Sequence, residues 1–143
     1  MIRDTVQSSK EFHAMSLRYC NPIGAHESCL IGELPLGVPA NLVPFITQSV
    51  AGIRGQLAVY GNDYPTSDGT AVRDYIHVVD LAKAHVSALN LLLQQLEGIY
   101  YDFFNIGTGT GSSVLDVISA FESATGFKVD YALKPIRNGD VVA

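Results

Sequence analysis

Basic residues are few in this chain. Nine lysines and arginines stand against fourteen aspartates and glutamates, a net charge of −5 over 143 residues. The cations are scattered, so there is no basic face of the kind a nucleic-acid backbone requires, and no nucleic-acid partner is expected. A small anionic ligand stays compatible, because one or two well-placed arginines suffice. Cysteine is scarce as well. Cys20 and Cys29 form no CxxC pair, and no histidine cluster has metal-ligand spacing, so no metal is expected. We read both as free thiols in a reducing compartment, with a disulfide left open. No apolar run is long enough for a membrane span. The opening "MIRDTVQSSKEFHAM" has no apolar core of a secretory signal, so a cytoplasmic placement is expected. Internal repeats and low-complexity segments are lacking too.

What is present is a globular composition, 48% hydrophobic, with length enough for one domain and a real core. Residues 1–12 read as the end of a helix with Ile2, Val6 and Phe12 on one side. In "HAMSLRYC", Met15, Leu17 and Tyr19 alternate with Ser16 and Arg18, which is strand spacing. "NPIGAHESCLIGELPLGVPA" is loop. Asn41 is placed to cap a helix with Pro44 in its first turn and Leu42, Ile46, Val50 and Ile53 toward the core. "QLAVYG" and "DYIHVVD" are strands. Asp80 caps the helix "LAKAHVSALNLLLQQL", with Leu81, Ala84, His85, Ala88, Leu89 and Leu92 as its stripe. "YYDFFNIG" is an aromatic-rich strand. Ser113 and Asp116 resemble a capping box for a helix over 114–125, which Gly126 ends. "FKVDYAL" is a last strand before the turn "RNGD". Strands and helices alternate, so the class is α/β.

Both ends strain this picture. The chain opens inside a helical pattern, and it closes just past a turn with nothing to cover the last strand. The strand "MSLRYC" needs sheet neighbours that no earlier residue supplies. A piece of a longer protein is expected.

The chemistry-bearing stretches are few. "NIGTGTGSS", Asn105 to Ser113, sits between a strand and a helix, where a dinucleotide loop belongs, with Asp130 at the distance of a ribose-binding acid. Yet Ser112 stands where GxGxxG needs its third glycine, and a tight strand-to-helix turn is the reading preferred. Arg73 follows a long loop, Gly61 to Val72, far longer than a plain connection needs. It is either one half of a surface ion pair with Asp74 or a bidentate phosphate ligand. Arg137 in "PIRNGD" is a turn residue, or a second phosphate partner if the two stretches converge. His13, His26, His77 and His85 form no catalytic set. GxSxG, HExxH and YxxxK are all missing, so no acid/base pair is visible.

Taken in order and spacing, "SLRYCNPIGAH", "GVPANLVPFI", "LAVYGNDYPTSDGTAVRDYIHVVDLAKAH", "FNIGTGTGSSVLDVISAFE" and "RNGD" resemble the UDP-glucose 4-epimerase (UDP-galactose 4-epimerase) family of extended short-chain dehydrogenases/reductases. The resemblance covers nearly the whole chain. It implies the tail of a Rossmann-type NAD-binding domain (residues 1–23) plus the smaller α/β UDP-sugar-binding domain (residues 24–143), truncated at both ends. Such enzymes oxidise the sugar's 4-hydroxyl with NAD, let the 4-keto sugar turn over, and reduce it from the other face. The catalytic serine and YxxxK would lie before Met1, so this chain alone would be inactive. Tyr19 and Cys20 would lie against the nicotinamide end of NAD. Asn21 would touch the UDP-sugar, and Asn41 and Leu42 the diphosphate region. Ala58, Val59 and Tyr60 would line the uracil, with Tyr60 in the place of a stacking aromatic. Arg73, Arg137 and Asp140 would hold diphosphate and ribose, with Tyr75 supporting the pocket. The partners implied are UDP-glucose and UDP-galactose, in galactose metabolism, with a homodimeric parent. Cys20 in place of an aromatic and Ala40 in place of an asparagine depart from the family pattern. Another nucleotide-sugar epimerase or dehydratase, or a non-catalytic UDP-sugar-binding module, are the alternative readings.

Overall fold

The computed structural model describes residues 1–9, 11–95 and 97–142. Helices and strands alternate as α1 (Ile2–Ser8), β1 (Ala14–Tyr19), β2 (Asn21–Ile23), α2 (Leu42–Val50), β3 (Leu57–Tyr60), β4 (Val72–His77), α3 (Val78–Leu93), β5 (Tyr101–Ile106), β6 (Gly111–Ser113), α4 (Val114–Thr125) and β7 (Tyr131–Lys134). The α/β class expected from the sequence is the one observed.

Three small sheets result, and distant segments close each of them. β1 pairs in parallel with β5, from Ala14 opposite Tyr101 to Tyr19 opposite Ile106. The missing neighbour of β1 thus comes from later in the chain, and this sheet crosses the boundary expected at residue 23. β3 pairs in parallel with β7, and β4 lies between parallel β2 and antiparallel β6. Parallel partners need a crossover, which α2 and α3 help to supply. The short strands β2 and β6 fall in stretches read as loop and turn. Two or three residues carry too little alternation to mark a strand.

The core lies on the β3–β7 sheet. Ile46 of α2, Leu57 and Val59 of β3, Ile118 of α4 and Val129 are all buried and in contact. Each such side chain contributes about 1.5–3 kcal/mol of apolar burial. Helix α4 has the boundaries its residues dictate. Ser113 Oγ accepts from Asp116 N–H at 2.9 Å, the Asp116 carboxylate accepts from Ser113 N–H at 2.9 Å, and Gly126 ends the helix at φ +76°.

Several expectations are corrected. Asn41 is the N-cap residue of α2, but its amide donates to Glu33 Oε1 at 3.0 Å rather than capping the helix. Ile53 is exposed, since α2 stops at Val50 and the helical period stops with it. Asp80 is not the cap of α3. The helix starts at Val78, and His77 Nδ1 accepts from Val79 N–H at 3.2 Å. On α3, Leu81 is buried, whereas His85 and Leu89 are exposed. Its stripe packs mainly on β1, β2 and β4, too little surface to cover it. Leu96, with which the expected helix closes, lies outside the described residues. Ile2 and Phe12 are exposed, and Val6 alone of that trio is buried. Among the described residues no helix is long and apolar enough to cross a membrane.

Both cysteines are free thiols. Cys29 is the one non-glycine residue with positive φ, +57°, among those described. Its Cβ crowds the following carbonyl there, at about 1–2 kcal/mol. Replacing Cys29 by glycine removes that clash but raises unfolded-chain entropy. We expect Cys29→Gly to raise stability by about 0.5–1 kcal/mol, the difference of these two effects, read as a higher urea midpoint at unchanged slope.

Candidate functional site

The site is built at the carboxyl ends of β3 and β7 and along β4. Carboxyl ends of parallel strands are where open α/β sheets take their ligands. Tyr60 and Lys134 end the two strands directly opposite each other. Beyond them opens a groove lined by Asn62, Asp63, Leu133, Lys134, Pro135 and Ile136. Arg137 follows at once. Its guanidinium carbon sits 4.4 Å from the centre of the Tyr60 ring, a cation–π contact. Its Nε and Nη2 donate to the two carboxylate oxygens of Asp140 at 3.2 and 3.4 Å.

Arg73 reaches the same C-terminal stretch. Its Nη2 donates to Val141 O at 2.8 Å, and its Nη1 to Val142 O at 3.4 Å and to Val72 O at 2.6 Å. Val72 N–H also donates to Val142 O at 2.9 Å, so residues 141–142 are fastened along the start of β4. Two arginines 64 positions apart (137 − 73) thus end on consecutive parts of one short segment, Arg137 on Asp140 and Arg73 on Val141 and Val142. Among the described residues, three of the five N–H donors of Arg73 are engaged. Tyr75 lies two residues on, on the Arg73 side of the strand. Burial raises its hydroxyl above the ordinary range, and the nearby Arg73 charge partly offsets this.

The ion pair weighed between Arg73 and Asp74 is not formed. Successive strand side chains leave opposite faces, and Asp74 turns the other way. Its carboxylate accepts from Thr108 Oγ1 at 2.6 Å, Thr108 N–H at 3.0 Å and Gly109 N–H at 2.9 Å. These hydrogen bonds, with Thr108 the largest contributor, hold its carboxyl below the usual range. The glycine-rich stretch therefore serves Asp74, and it does not open directly into a helix, because β6 intervenes and pairs with β4. A side chain at position 107 would collide with the Asp74 carboxylate and the Cys20 sulfur.

The long loop after Gly61 is braced from within. The Asp68 carboxylate accepts from Thr70 N–H and Thr70 Oγ1, both at 2.8 Å, and from the Ser113 hydroxyl. Thr70 and Ser113 are both fully buried. This brace ties the loop to the start of α4 and sets where β4 begins.

The remaining candidates are dispersed. Tyr19 and Cys20 stand at the carboxyl end of β1, with Cys20 N–H on Ile106 O at 2.9 Å and the Tyr19 ring 6.2 Å from that of His85. Asn21 faces Tyr75 across β2 and β4. Asn41 is exposed beside Glu33, and Leu42 packs on the core. Ala58 is half-buried on β3, but the Val59 side chain is in the core, so only its backbone is left for a ligand. Lys134, Asn62 and Asp63 were missed by reading the sequence. The one signal for Lys134 is its place just before "PIRNGD".

A family model, the NAD dependent epimerase/dehydratase family, matches residues 1–107, and the chain belongs to this family. It is 54% identical over 143 residues to the UDP-glucose 4-epimerase of Bos taurus and 52% identical over 141 residues to that of Drosophila melanogaster. It covers 100% and 99% of itself in these matches, and 40% of either relative's length. Its fold matches UDP-glucose-4-epimerase from Stenotrophomonas maltophila with bound NAD and formylated UDP-arabinopyranose (TM-score 0.90, 50% identity, 97% of this chain and 40% of that one). It likewise matches UDP-glucose 4-epimerase from Bifidobacterium longum in complex with NAD+ and UDP (TM-score 0.89, 48% identity, 99% of this chain and 41% of that one).

Acidic groups of the loop before β4 and of α4 make stability depend on pH. At Asp68 burial opposes the charge, but hydrogen bonds from Ser113 and Thr70 outweigh it and lower its pKa. Glu122, bound by Lys128 and Val129 N–H, is lowered as well. A carboxylate whose folded pKa is depressed stabilises the fold above its unfolded value, and that stability is lost as pH falls through the folded value. The urea midpoint is expected to drop as pH falls below about 4, the ordinary aspartate value. In Asp68→Asn that drop is shallower, and equal slopes in the two proteins would rule out the Asp68 contribution.

Proposed function

We propose that this chain is the UDP-sugar-binding part, together with the closing strands of the NAD-binding part, of a UDP-glucose/UDP-galactose 4-epimerase. The observation that carries this reading is the meeting of Arg73 and Arg137 on residues 140–142, beside Tyr60 and the groove past β3 and β7. A diphosphate between them would accept from the Arg73 guanidinium and would compete with Asp140 for Arg137. Uracil would lie against Tyr60 and the backbone of Ala58 and Val59, with Arg137 moving off the ring face or uracil taking the other one. Asp140 would then be free for a ribose hydroxyl, and Asn21 and Tyr75 would add contacts from β2 and β4.

NAD would lie at the carboxyl end of β1, where the exposed ring of Tyr19 and Cys20, packed beside Gly107, are compatible with it. When bound, it supplies the hydride acceptor and donor of the epimerisation. Tyr19 and Cys20 would hold its nicotinamide end, and this chain's other residues bind and orient the nucleotide of the substrate. The proton shuttle is read as lying outside this chain.

The test is a chimera in which residues 1–143 replace the matching segment of the Bifidobacterium longum relative. The chimera is expected to interconvert UDP-galactose and UDP-glucose, and the 143-residue chain by itself is not. A folded, NAD-loaded chimera without turnover would overturn the epimerase reading, and turnover by the chain alone would overturn the division of labour. Calorimetry with UDP tests the pocket. Arg73→Ala and Arg137→Ala should each weaken binding about 10- to 100-fold, the loss of one charged hydrogen-bonding group. An unchanged Kd in both would remove the diphosphate from this site.

A further inference from the structure

Asp74 carries more bonds than a strand residue between two ligand-binding neighbours needs. Its carboxylate takes all three of the hydrogen bonds that arrive from Thr108 and Gly109. The Thr108 hydroxyl also accepts from Thr110 N–H at 3.2 Å, which stiffens the loop before β6. The Cys20 thiol packs beside the carboxylate, and Gly107 is small because the carboxylate and the sulfur fill its side-chain space. One carboxylate thus joins the end of β1, the start of β6 and the middle of β4.

We propose that Asp74 is a positioning residue for the nucleotide pocket, clamping the 107–110 loop beneath β4 so that Arg73 and Tyr75 are presented rigidly on the opposite face. The proposal rests on the reading of Arg73 as a diphosphate ligand. Arg73 and Tyr75 flank Asp74 on a six-residue strand, and both depend on where its backbone sits. β6 holds one edge of that strand for only three residues, with Arg73 opposite Ser112 and Asp74 opposite Gly111. So short a ladder fixes register weakly, and the carboxylate supplies the missing constraint. Cys20 sits at the same clamp, which links the end of β1 to the strand bearing Arg73. Burial, and then the charge and hydrogen bonding of Asp74, push the Cys20 thiol up. The thiol therefore reports on the carboxylate independently of any nucleotide.

The experiment uses the full 143-residue chain with UDP as the probe, by calorimetry well below the melting temperature. A residue that is only structural lowers the melting temperature and leaves the Kd of the folded protein unchanged. Asp74→Asn is expected to weaken UDP binding about fivefold or more, within the range of mutations that act through a packed network. Thr108→Ser keeps the hydroxyl and is expected to bind as wild type, while Thr108→Val weakens binding in the same direction as Asp74→Asn. In a Cys29→Ser background, Cys20 is expected to react with a disulfide reagent several-fold faster once Asp74 is Asn, because more thiolate forms. If Asp74→Asn does not fold, the Thr108 pair carries the test. Wild-type affinity in Asp74→Asn, or in Thr108→Val, overturns the clamp and leaves the pocket reading standing. An unchanged Cys20 rate overturns the clamp as well. Failure of the wild-type chain to bind UDP overturns the pocket reading, and this proposal with it.

Discussion

Parallel pairing between segments far apart in the chain is the constraint on which the rest of this structure depends. β1 meets β5 and β3 meets β7, at sequence separations of 87 and 74 residues (101 − 14 and 131 − 57). Parallel strands cannot be joined by a tight turn, so the intervening chain must travel out and back. The long connections that result carry most of the candidate ligand-binding residues. Arg73 follows one such loop, and Arg137 follows the last strand. Their meeting is a consequence of the pairing and not of any local signal.

Short strands pair weakly, and this molecule compensates with carboxylates. Asp68 braces the loop before β4 against Thr70 and Ser113, and Asp74 holds the loop before β6. Ser113 serves twice, as the cap of α4 and as a partner of Asp68, which couples the helix start to the loop. Charge-assisted bonds of this kind are about twice as strong as neutral ones. In an acidic chain they also settle where negative charge is tolerated near a site that is read as binding an anion.

The arginines illustrate how such a site is kept ready. Arg137 rests on Tyr60 and Asp140, and Arg73 rests on backbone carbonyls. Neither guanidinium is left to solvent alone. The Arg137–Asp140 pair is exchangeable, because a surface ion pair contributes at most about 1 kcal/mol. In the proposed reading, a diphosphate would offer both groups stronger acceptors at once.

Much of the local structure was legible from residue types alone. Ser113, Asp116 and Gly126 announce helix α4 from both ends, and Met15, Leu17 and Tyr19 announce β1 by alternation. Those signals act over three or four residues, where backbone sterics and a single hydrogen bond decide. The family was legible too, through long stretches of matching order. The tertiary structure decided the rest. It placed Val59 in the core, left Ile53 and Leu89 exposed, turned Asp74 away from Arg73, and moved the cap of α3 from Asp80 to His77. Each of these depends on which surface arrives from elsewhere in the chain. Periodicity names a face but not its neighbour, and the neighbour determines whether a side chain is buried, paired or free to bind.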